Sequence, residues 1–90
     1  MLHYNIKVTG KVQGVWFRKY TYEKALSLGL AGFVRNEVDG SVYVEAEGSR
    51  QKLEELILWL SDEGSPLSEV DAVTLEVSAL KNFSRFIITH

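Results

Sequence analysis

Residues 10–29, "GKVQGVWFRKYTYEKALSLG", place two glycines and an arginine in nine positions and then take on a helical pattern. Glycine loses more conformational entropy on folding than any other residue, so two glycines directly before a helix need a reason. The apolar residues that follow fit one face of a helix, at Phe17, Tyr20, Ala25 and Leu28. Gly29 is a suitable C-terminal cap. The stretch therefore predicts a glycine-containing loop followed by a helix over residues 17–28.

The segments on either side of this stretch predict strands. Residues 3–9, "HYNIKVT", alternate apolar and polar side chains, which is typical of a strand with one buried face. Residues 32–48, "GFVRNEVDGSVYVEAEG", predict two strands joined by a turn at Asp39 and Gly40. The pattern leaves the hairpin register open, because a two-residue loop and a three-residue loop with a bulge put different side chains on one face.

The rest of the chain predicts a second helix and two more strands. Ser49 is a suitable N-cap, and apolar side chains recur after it at helical spacing, at Leu53, Leu56, Ile57 and Leu60. The segment "DEGSP" ends this helix, and residues 69–79 and 83–89 have strand-like patterns. The order β-α-β-β-α-β is the split β-α-β arrangement of ferredoxin-like domains. We therefore expect an α+β fold, an antiparallel sheet with two helices on one face, as a single domain over residues 1–90.

The composition limits the class of protein. Apolar residues make up 46% of the chain and charged residues 24%, as in an ordinary globular protein. The absence of cysteine excludes a disulfide framework, a thiolate metal site and a cysteine nucleophile. No segment resembles a signal peptide, and no apolar run reaches the roughly 18 residues of a membrane helix. We expect a soluble protein of the cytoplasm that does not interact with membranes.

Charge is distributed unevenly along the chain. Residues 1–36 contain six Lys or Arg and one acid, a balance of +5, whereas residues 37–90 contain four bases and eleven acids, a balance of −7. The two balances add to the net charge of −2. Local positive charge on an acidic body fits a small anionic ligand better than a nucleic acid. Segregation of solvated surface charge alone would give the same counts.

The loop between the first strand and the first helix has the features of an anion site. Backbone N–H groups of such a loop can converge on an anion, and the helix N-terminus adds partial positive charge. Arg18 lies near the start of the helix, where the helix dipole disfavours a cation but a guanidinium can bind two phosphate oxygens. Lys11, Lys19 and Arg35 can add positive potential. A glycine-rich turn followed by a solvated arginine has the same spacing, so spacing alone leaves both interpretations open.

Asn36, beside the predicted turn, is the second candidate. Its amide donates and accepts hydrogen bonds, so it can hold a water molecule in one orientation, although asparagine is also a common turn residue. The sequence lacks the usual nucleophiles and metal ligands of phosphatases, since it has no cysteine and its two histidines, His3 and His90, stand apart. Hydrolysis would then require direct attack by water and a leaving group that departs without a proton. This predicts a mixed carboxylic-phosphoric anhydride as substrate.

Two segments carry a resemblance to a known family. "VTGKVQGVWFR", residues 8–18, and the hairpin segment 32–48 closely resemble the two signature segments of the acylphosphatase family, and the similarity extends over the whole chain. Phe33 stands where tryptophan or tyrosine is common in the family, and the ending "FIITH" lacks the basic residue of many members. The second departure leaves open whether the C-terminus contacts Arg18.

The resemblance implies an enzyme that hydrolyses acyl phosphates, such as acetyl phosphate, without a metal, a cofactor or a covalent phosphoenzyme. It implies that Arg18 is the side-chain ligand of the phosphate and that Asn36 positions the attacking water. The backbone N–H groups expected to hold the phosphate are those of Gln13, Gly14, Val15, Trp16, Phe17 and Arg18. The side chains of Trp16, Tyr20 and Phe33 are interpreted as packing residues. Inorganic phosphate is expected to inhibit competitively, and the protein to be a monomer.

Two other classes of function fit the same fold. A non-catalytic anion-binding module would bind phosphate without turnover. An RNA-recognition module shares the element order, but the nearest stretch to its aromatic signature, "AGFVRNEV" at residues 31–38, lacks the defining pattern, and the net charge has the wrong sign. We therefore expect no nucleic-acid partner.

Overall fold

The computed structural model describes residues 1–89 and contains two helices and five strands in the predicted order. His90 lies outside the described residues, so the expectation that it stands apart from His3 stays a prediction. The elements are β1 (Leu2–Lys11), α1 (Phe17–Ser27), β2 (Ala31–Asn36), β3 (Val42–Gly48), α2 (Arg50–Asp62), β4 (Glu69–Ser78) and β5 (Phe86–Ile88).

The strands form one sheet in the order β4-β1-β3-β2-β5. The pairs β1–β3, β1–β4 and β2–β3 are antiparallel, as predicted, whereas β5 lies parallel to β2 at the edge. β5 is shorter than the predicted strand 83–89, because only its last part reaches β2. The ferredoxin-like α+β fold is confirmed, with one parallel pair added to the sheet.

Both helices pack on one face of the sheet. Buried residues of β1 and β3, such as Ile6, Val8, Val42 and Val44, meet the buried faces of α1 and α2. In α2 the predicted stripe contributes Leu53, Leu56 and Leu60 to the core, and Ser49 caps the helix by accepting a hydrogen bond from the Lys52 N–H at 3.3 Å. The two helices and the sheet therefore share one apolar core.

The hairpin between β2 and β3 settles the register that the sequence leaves open. Asn36 pairs with Val42, and the loop runs from Glu37 to Ser41, longer than either predicted alternative. The Glu37 N–H donates to the Ser41 carbonyl at 2.8 Å, and the Asp39 carboxylate accepts from the Ser41 N–H at 2.9 Å. Asn36 therefore lies on the same face of β2 as the core residue Val34.

The face of the sheet opposite the helices is partly covered by the segment 79–85, which links β4 to β5. His3 on β1 is fully buried there, and its ring nitrogens lie 2.8 Å from Glu47 Oε2 and 3.0 Å from Glu45 Oε1. Glu47 also accepts from the backbone N–H groups of Lys81 and Phe83, at 2.5 Å and 2.9 Å. The sequence did not predict this burial of His3 beside two carboxylates, because the segment that covers it is irregular.

Strand direction brings three chain segments to one edge of the sheet. β1 and β2 both run antiparallel to β3, and β5 runs parallel to β2, so the carboxyl ends of β1, β2 and β5 lie at the same end. The loop after β1 leads directly into the N-terminus of α1 at this edge. Arg18, Asn36 and the end of β5 are therefore neighbours in space.

Candidate active site

The loop between β1 and α1 contains two residues in the left-handed conformation. Gly14 has φ 74°, and Trp16, the N-cap of α1, has φ 64°. A Cβ at Gly14 would meet nothing within 4 Å, so glycine is needed there for its backbone angle. At Gly10, by contrast, a Cβ would lie 2.2 Å from the Glu69 carbonyl oxygen, so glycine is needed for the close approach of β4. Both glycines therefore have a positive φ, 123° at Gly10 and 74° at Gly14, and Gly10 is needed in addition for the close approach of β4.

Two side chains anchor this loop to its neighbours. Gln13 Nε2 donates to the carbonyls of Glu37 and Ser41, each at 2.8 Å, and so ties the loop to the β2–β3 hairpin. On the other side Ser65 Oγ donates to the Val15 carbonyl at 2.7 Å. In a trans peptide the C=O and the following N–H point in opposite directions, so this bond directs the Trp16 N–H away from Ser65. The loop is fixed before any ligand arrives.

A cavity of about 390 Å³ lies at this end of the sheet. It is lined by Val12, Gly14, Trp16, Phe17, Arg18, Lys19, Asn36 and Ile88. The N-terminus of α1 opens beside it, and within residues 1–89 the first helical N–H that bonds back to the helix is that of Tyr20, to the Trp16 carbonyl at 3.1 Å. The N–H groups of the preceding helical residues are the donors that a helix start leaves for an anion.

The Arg18 side chain reaches the end of β5. Its Nη1 donates to the Thr89 carbonyl at 3.2 Å, and the Thr89 N–H donates to the Val34 carbonyl of β2 at 2.9 Å. These bonds hold the guanidinium at the cavity wall. The C-terminal part of the chain therefore contacts Arg18 through Thr89, a contact that the sequence left open.

Asn36 contributes an unusual acceptor to the same cavity. Its side-chain Oδ1 is buried, and within residues 1–89 it has no hydrogen-bond partner. A buried acceptor without a partner loses its hydration without compensation, which costs about 1–3 kcal/mol. Because Asn36 lines the cavity, its amide is suited to form a hydrogen bond with a water molecule bound there.

The role of the loop backbone in holding phosphate stays a prediction. Of the six loop residues expected to hold it, Gly14, Trp16, Phe17 and Arg18 line the cavity, while the Gln13 side chain and the Val15 carbonyl also anchor the loop. The interpretation of Trp16 as a packing residue is wrong, because the residue is 70% exposed, whereas Tyr20 is 39% exposed and does not line the cavity. Phe33 does pack, with its ring 5.9 Å from that of Phe83.

The positive charges proposed for the site separate in the structure. Lys19 lines the cavity, but Lys11 and Arg35 do not. Arg35 lies on the other face of β2, where its Nε is 3.0 Å from Glu37 Oε2 and its guanidinium stands 4.8 Å from the centre of the Tyr43 ring. Its charge is therefore used in a surface ion pair and a cation–π contact.

The cavity has two apolar lining residues, Val12 and Ile88, that the sequence did not predict. The missing signal was strand direction, because residues just after β1 and at the end of β5 meet at one edge only when β5 is parallel to β2. Among residues 1–89, no three His, Asp or Glu side chains are grouped so that they could hold a metal ion. No helix in that range is both long enough and apolar enough to span a membrane.

Comparison with known proteins gives a consistent result. The family model described as acylphosphatase matches residues 4–88. An acylphosphatase of Rhizorhabdus wittichii is 52% identical over 71 residues, which cover 79% of this chain and 71% of the relative. An acylphosphatase of Mannheimia succiniciproducens is 43% identical over 91 residues, covering 100% of both chains. The crystal structure of acylphosphatase from Bacillus subtilis superposes with a TM-score of 0.96 at 38% identity, covering 100% of both chains.

These matches distinguish between the classes that fit the fold. An RNA-recognition module and a non-catalytic anion-binding module share the architecture, but the relatives that match over most of this chain are named as enzymes of one type. The chain belongs to the acylphosphatase family and is an enzyme of that type, whose substrates are small acyl phosphates.

Proposed function

We propose that this cavity hydrolyses the carboxyl–phosphate bond by direct attack of a positioned water molecule on phosphorus, without a metal ion or a covalent intermediate. The observation that carries the proposal is that Asn36 lines the cavity and that its Oδ1 has no hydrogen-bond partner within residues 1–89. A water molecule that donates one hydrogen to Oδ1 is held in the cavity with its lone pairs turned away from Asn36. Asn36 thereby orients the nucleophile.

Arg18 and the loop backbone bind the phosphoryl group in this proposal. The guanidinium binds two of its oxygens, and the N–H groups at the start of α1 surround the others. Trp16, Phe17 and Arg18 contribute these N–H groups from the cavity lining, with Gly14 allowing the loop to turn. The backbone N–H groups of Gln13, Gly14 and Val15 complete the set, and the Gln13 side chain and the Val15 carbonyl also anchor the loop. The negative charge that spreads over the phosphoryl oxygens in the transition state meets groups that are already in place.

The residues available for proton transfer point to the type of leaving group. The cavity lining within residues 1–89 includes no Asp, Glu or His side chain. Transfer of a phosphoryl group through a loose transition state depends on positioning and electrostatics more than on a strong base. Water adds to phosphorus as the P–O bond to the acyl group breaks, the carboxylate departs without a proton, and the water's proton goes to the phosphate product. An alkoxide leaving group would need an acid.

Further properties follow as parts of the same proposal. Inorganic phosphate carries the oxygens that the loop and Arg18 bind, so it acts as a competitive inhibitor. The protein works as a single-domain monomer in the cytoplasm and needs no cofactor.

Isotope labelling tests the direct attack on phosphorus. In water enriched in oxygen-18, single turnover of acetyl phosphate in the presence of EDTA is expected to place one labelled oxygen in phosphate and none in acetate. An acyl thiophosphate made chiral with two oxygen isotopes, hydrolysed in water that carries the third, is expected to react with inversion at phosphorus. Label in the carboxylate would show attack at the acyl carbon, and retention at phosphorus would show a covalent phosphoenzyme; either result contradicts the proposal.

A further inference from the structure

The turn between α2 and β4 supports the cavity loop from outside the cavity. Ser65 is 1% exposed, and its Oγ donates to the Val15 carbonyl at 2.7 Å. The Ser65 carbonyl in turn accepts from the N–H and the hydroxyl of Ser68, at 3.0 Å and 2.7 Å. Pro66 follows Ser65 and fixes one backbone angle of the turn. The Ser65 hydroxyl is therefore held in place by its own turn.

The same turn packs against the start of α1. Gly64 has φ 60°, and a Cβ at this position would lie 3.0 Å from Cε1 of Phe17. The ring of Phe17 also lies 6.1 Å from that of Trp59 on α2. Phe17 is buried and lines the cavity. The turn therefore reaches the loop on both sides of Trp16, through a hydrogen bond at Val15 and through packing at Phe17.

Trp16 has a backbone conformation that its side chain disfavours. Its φ of 64° and ψ of 17° lie in the left-handed region, which residues other than glycine rarely occupy because Cβ crowds the backbone. The side chain makes no capping hydrogen bond, and the residue is 70% exposed, so neither capping nor burial offsets this strain. Contacts of the neighbouring peptide groups must therefore hold the conformation.

A flip of the Val15–Trp16 peptide group would relieve this strain. Such a flip rotates φ of the second residue by about 180°, which would bring φ of Trp16 to a negative value common for residues with side chains. It would also exchange the directions of the Val15 carbonyl and the Trp16 N–H. A carbonyl would then face the phosphoryl group where the proposed reaction places an N–H, and it would repel the phosphoryl oxygens.

We propose that Ser65 is a positioning residue, whose hydroxyl holds the Val15–Trp16 peptide group in the orientation that turns the Trp16 N–H towards the phosphoryl group. The inference rests on the proposed function and extends it to a residue that does not line the cavity. A flip breaks the bond from Ser65 Oγ and leaves a buried hydroxyl without its acceptor, which disfavours the flipped orientation. The strain at Trp16 and the Ser65 hydrogen bond thus act in opposite directions on one peptide group.

Binding of inorganic phosphate measures this effect without turnover. The experiment titrates phosphate into nitrogen-15-labelled protein and follows the amide signals by NMR, for the wild type, Ser65→Ala and Ser65→Cys. A peptide group that is flipped part of the time lowers the fraction of binding-competent protein and raises the apparent Kd by the same factor. We expect Kd to rise about fivefold to tenfold in Ser65→Ala, the scale of one lost hydrogen bond. The rise is expected to be smaller in Ser65→Cys, because a thiol is a weak donor.

Substitutions of Trp16 separate relief of strain from general support of the loop. Trp16→Gly keeps the backbone N–H and removes the strain, because glycine adopts a positive φ readily. Trp16→Ala also keeps the N–H but retains a Cβ and therefore the strain. We expect Ser65→Ala to raise Kd by less than about twofold in the Trp16→Gly background and by nearly the full factor in the Trp16→Ala background. The kcat/KM for acetyl phosphate should follow the same pattern.

The substitution Ser61→Ala is the matched control for the loss of a serine hydroxyl. Ser61 is exposed, and its Oγ donates to the Ile57 carbonyl at 2.9 Å within α2. Kd and kcat/KM are expected to be unchanged in this variant. Circular dichroism checks that each variant is folded, and Ser65→Cys carries the comparison if Ser65→Ala does not fold. Because a loss of stability alone leaves the affinity of the folded protein unchanged, Kd distinguishes positioning from a purely structural role.

The outcomes separate this inference from the proposed function. An unchanged Kd in folded Ser65→Ala, or an equal rise of Kd in the Trp16→Gly and Trp16→Ala backgrounds, would overturn the positioning role and leave the proposed function intact. If the wild type shows the expected pattern of Kd but hydrolyses no acyl phosphate above the buffer rate, the proposed function is wrong and Ser65 positions the loop for anion binding alone. Failure of the wild type to bind inorganic phosphate would contradict both.

Discussion

Arg18 occupies a position that suits anion binding but disfavours helix stability. It lies in the first turn of α1, where the helix dipole favours an acid, and α1 has no acidic residue in that turn. Its guanidinium is held at the cavity by the Thr89 carbonyl. This combination is expected of a side chain that serves an anionic ligand.

Replacing Arg18 by alanine is therefore expected to weaken both phosphate binding and turnover. We predict that kcat/KM falls by about 10³–10⁵, the range found when an arginine that stabilises a transferring phosphoryl group is removed. The inhibition constant of inorganic phosphate is expected to rise in the same variant. Steady-state kinetics with acetyl phosphate measures both effects.

Lys11→Ala is the matched control for the loss of one positive charge. Lys11 is exposed at the end of β1 and does not line the cavity. The kcat/KM of the Lys11→Ala variant is expected to stay within about twofold of wild type at moderate salt, because exposed charges are screened. Equal losses of kcat/KM in Lys11→Ala and Arg18→Ala would mean that the phosphate is bound by general positive potential and not by the Arg18 guanidinium.

Single residues show what the sequence could and could not predict. Arg18 and Asn36 were identified from the chemistry of their side chains and from their motifs, and the structure brings both to one cavity. Trp16 was misinterpreted, because a large aromatic side chain is usually buried and the sequence does not reveal a left-handed N-cap. The burial of His3 was missed because the segment that covers it has no periodic pattern.

At the scale of elements, Glu47 fastens the segment 79–85 to the sheet. Burial alone would raise the pKa of its carboxyl, but the backbone N–H of Lys81, His3 and the N–H of Phe83 outweigh burial and lower the pKa from 4.5 to about 2. A carboxyl whose pKa is lower in the folded state stabilises the fold above its unfolded pKa. This stabilisation is lost as the pH falls from about 4.5 towards 2.

The substitution Glu47→Gln tests whether the Glu47 carboxylate stabilises the fold through these hydrogen bonds. The amide offers one acceptor oxygen where the carboxylate accepts from three donors, so a backbone donor loses its partner. We predict that the free energy of unfolding at pH 7 falls by about 1–3 kcal/mol. The difference from wild type should shrink as the pH is lowered through the range 4.5 to 2. Urea unfolding curves at several pH values measure it.

An exposed acid on α2 provides the comparison for this variant. Glu54→Gln removes one negative charge from the solvent-facing side of the helix. It is expected to change the free energy of unfolding by less than about 0.5 kcal/mol. A constant difference between wild type and Glu47→Gln from pH 7 down to pH 2 would contradict the role of the Glu47 charge.

Elements with strong local patterns were predicted well. The Ser49 cap and the leucine stripe of α2 are confirmed because both signals are local. The hairpin loop and the short β5 were not predicted correctly, since loop length and parallel pairing depend on contacts between distant segments. Thr89 and Ile88 reach the site only through that pairing, which explains why the cavity wall from β5 was missed.

For the whole molecule, the architecture and the family explain the arrangement of the site. Three strand ends and one helix start meet at a single edge, and the polar groups there are Arg18, Asn36, Lys19 and the loop backbone. The positive balance of residues 1–36 predicted a small anionic ligand, but of the three additional basic residues proposed for the site only Lys19 lines the cavity. The groups that line the cavity, rather than the overall charge of the chain, are therefore the main support for an anionic ligand.

Hydrolysis of benzoyl phosphate in the presence of EDTA by the wild type and by Asn36→Ala tests directly whether Asn36 positions the attacking water in a metal-independent reaction. We predict metal-independent turnover by the wild type and a loss of about 10²–10³ in kcat for Asn36→Ala, the scale of removing one preorganised group from a transition state. The variant should remain folded and still bind inorganic phosphate. Turnover that persists in a folded Asn36→Ala, or that EDTA abolishes in the wild type, would contradict the account.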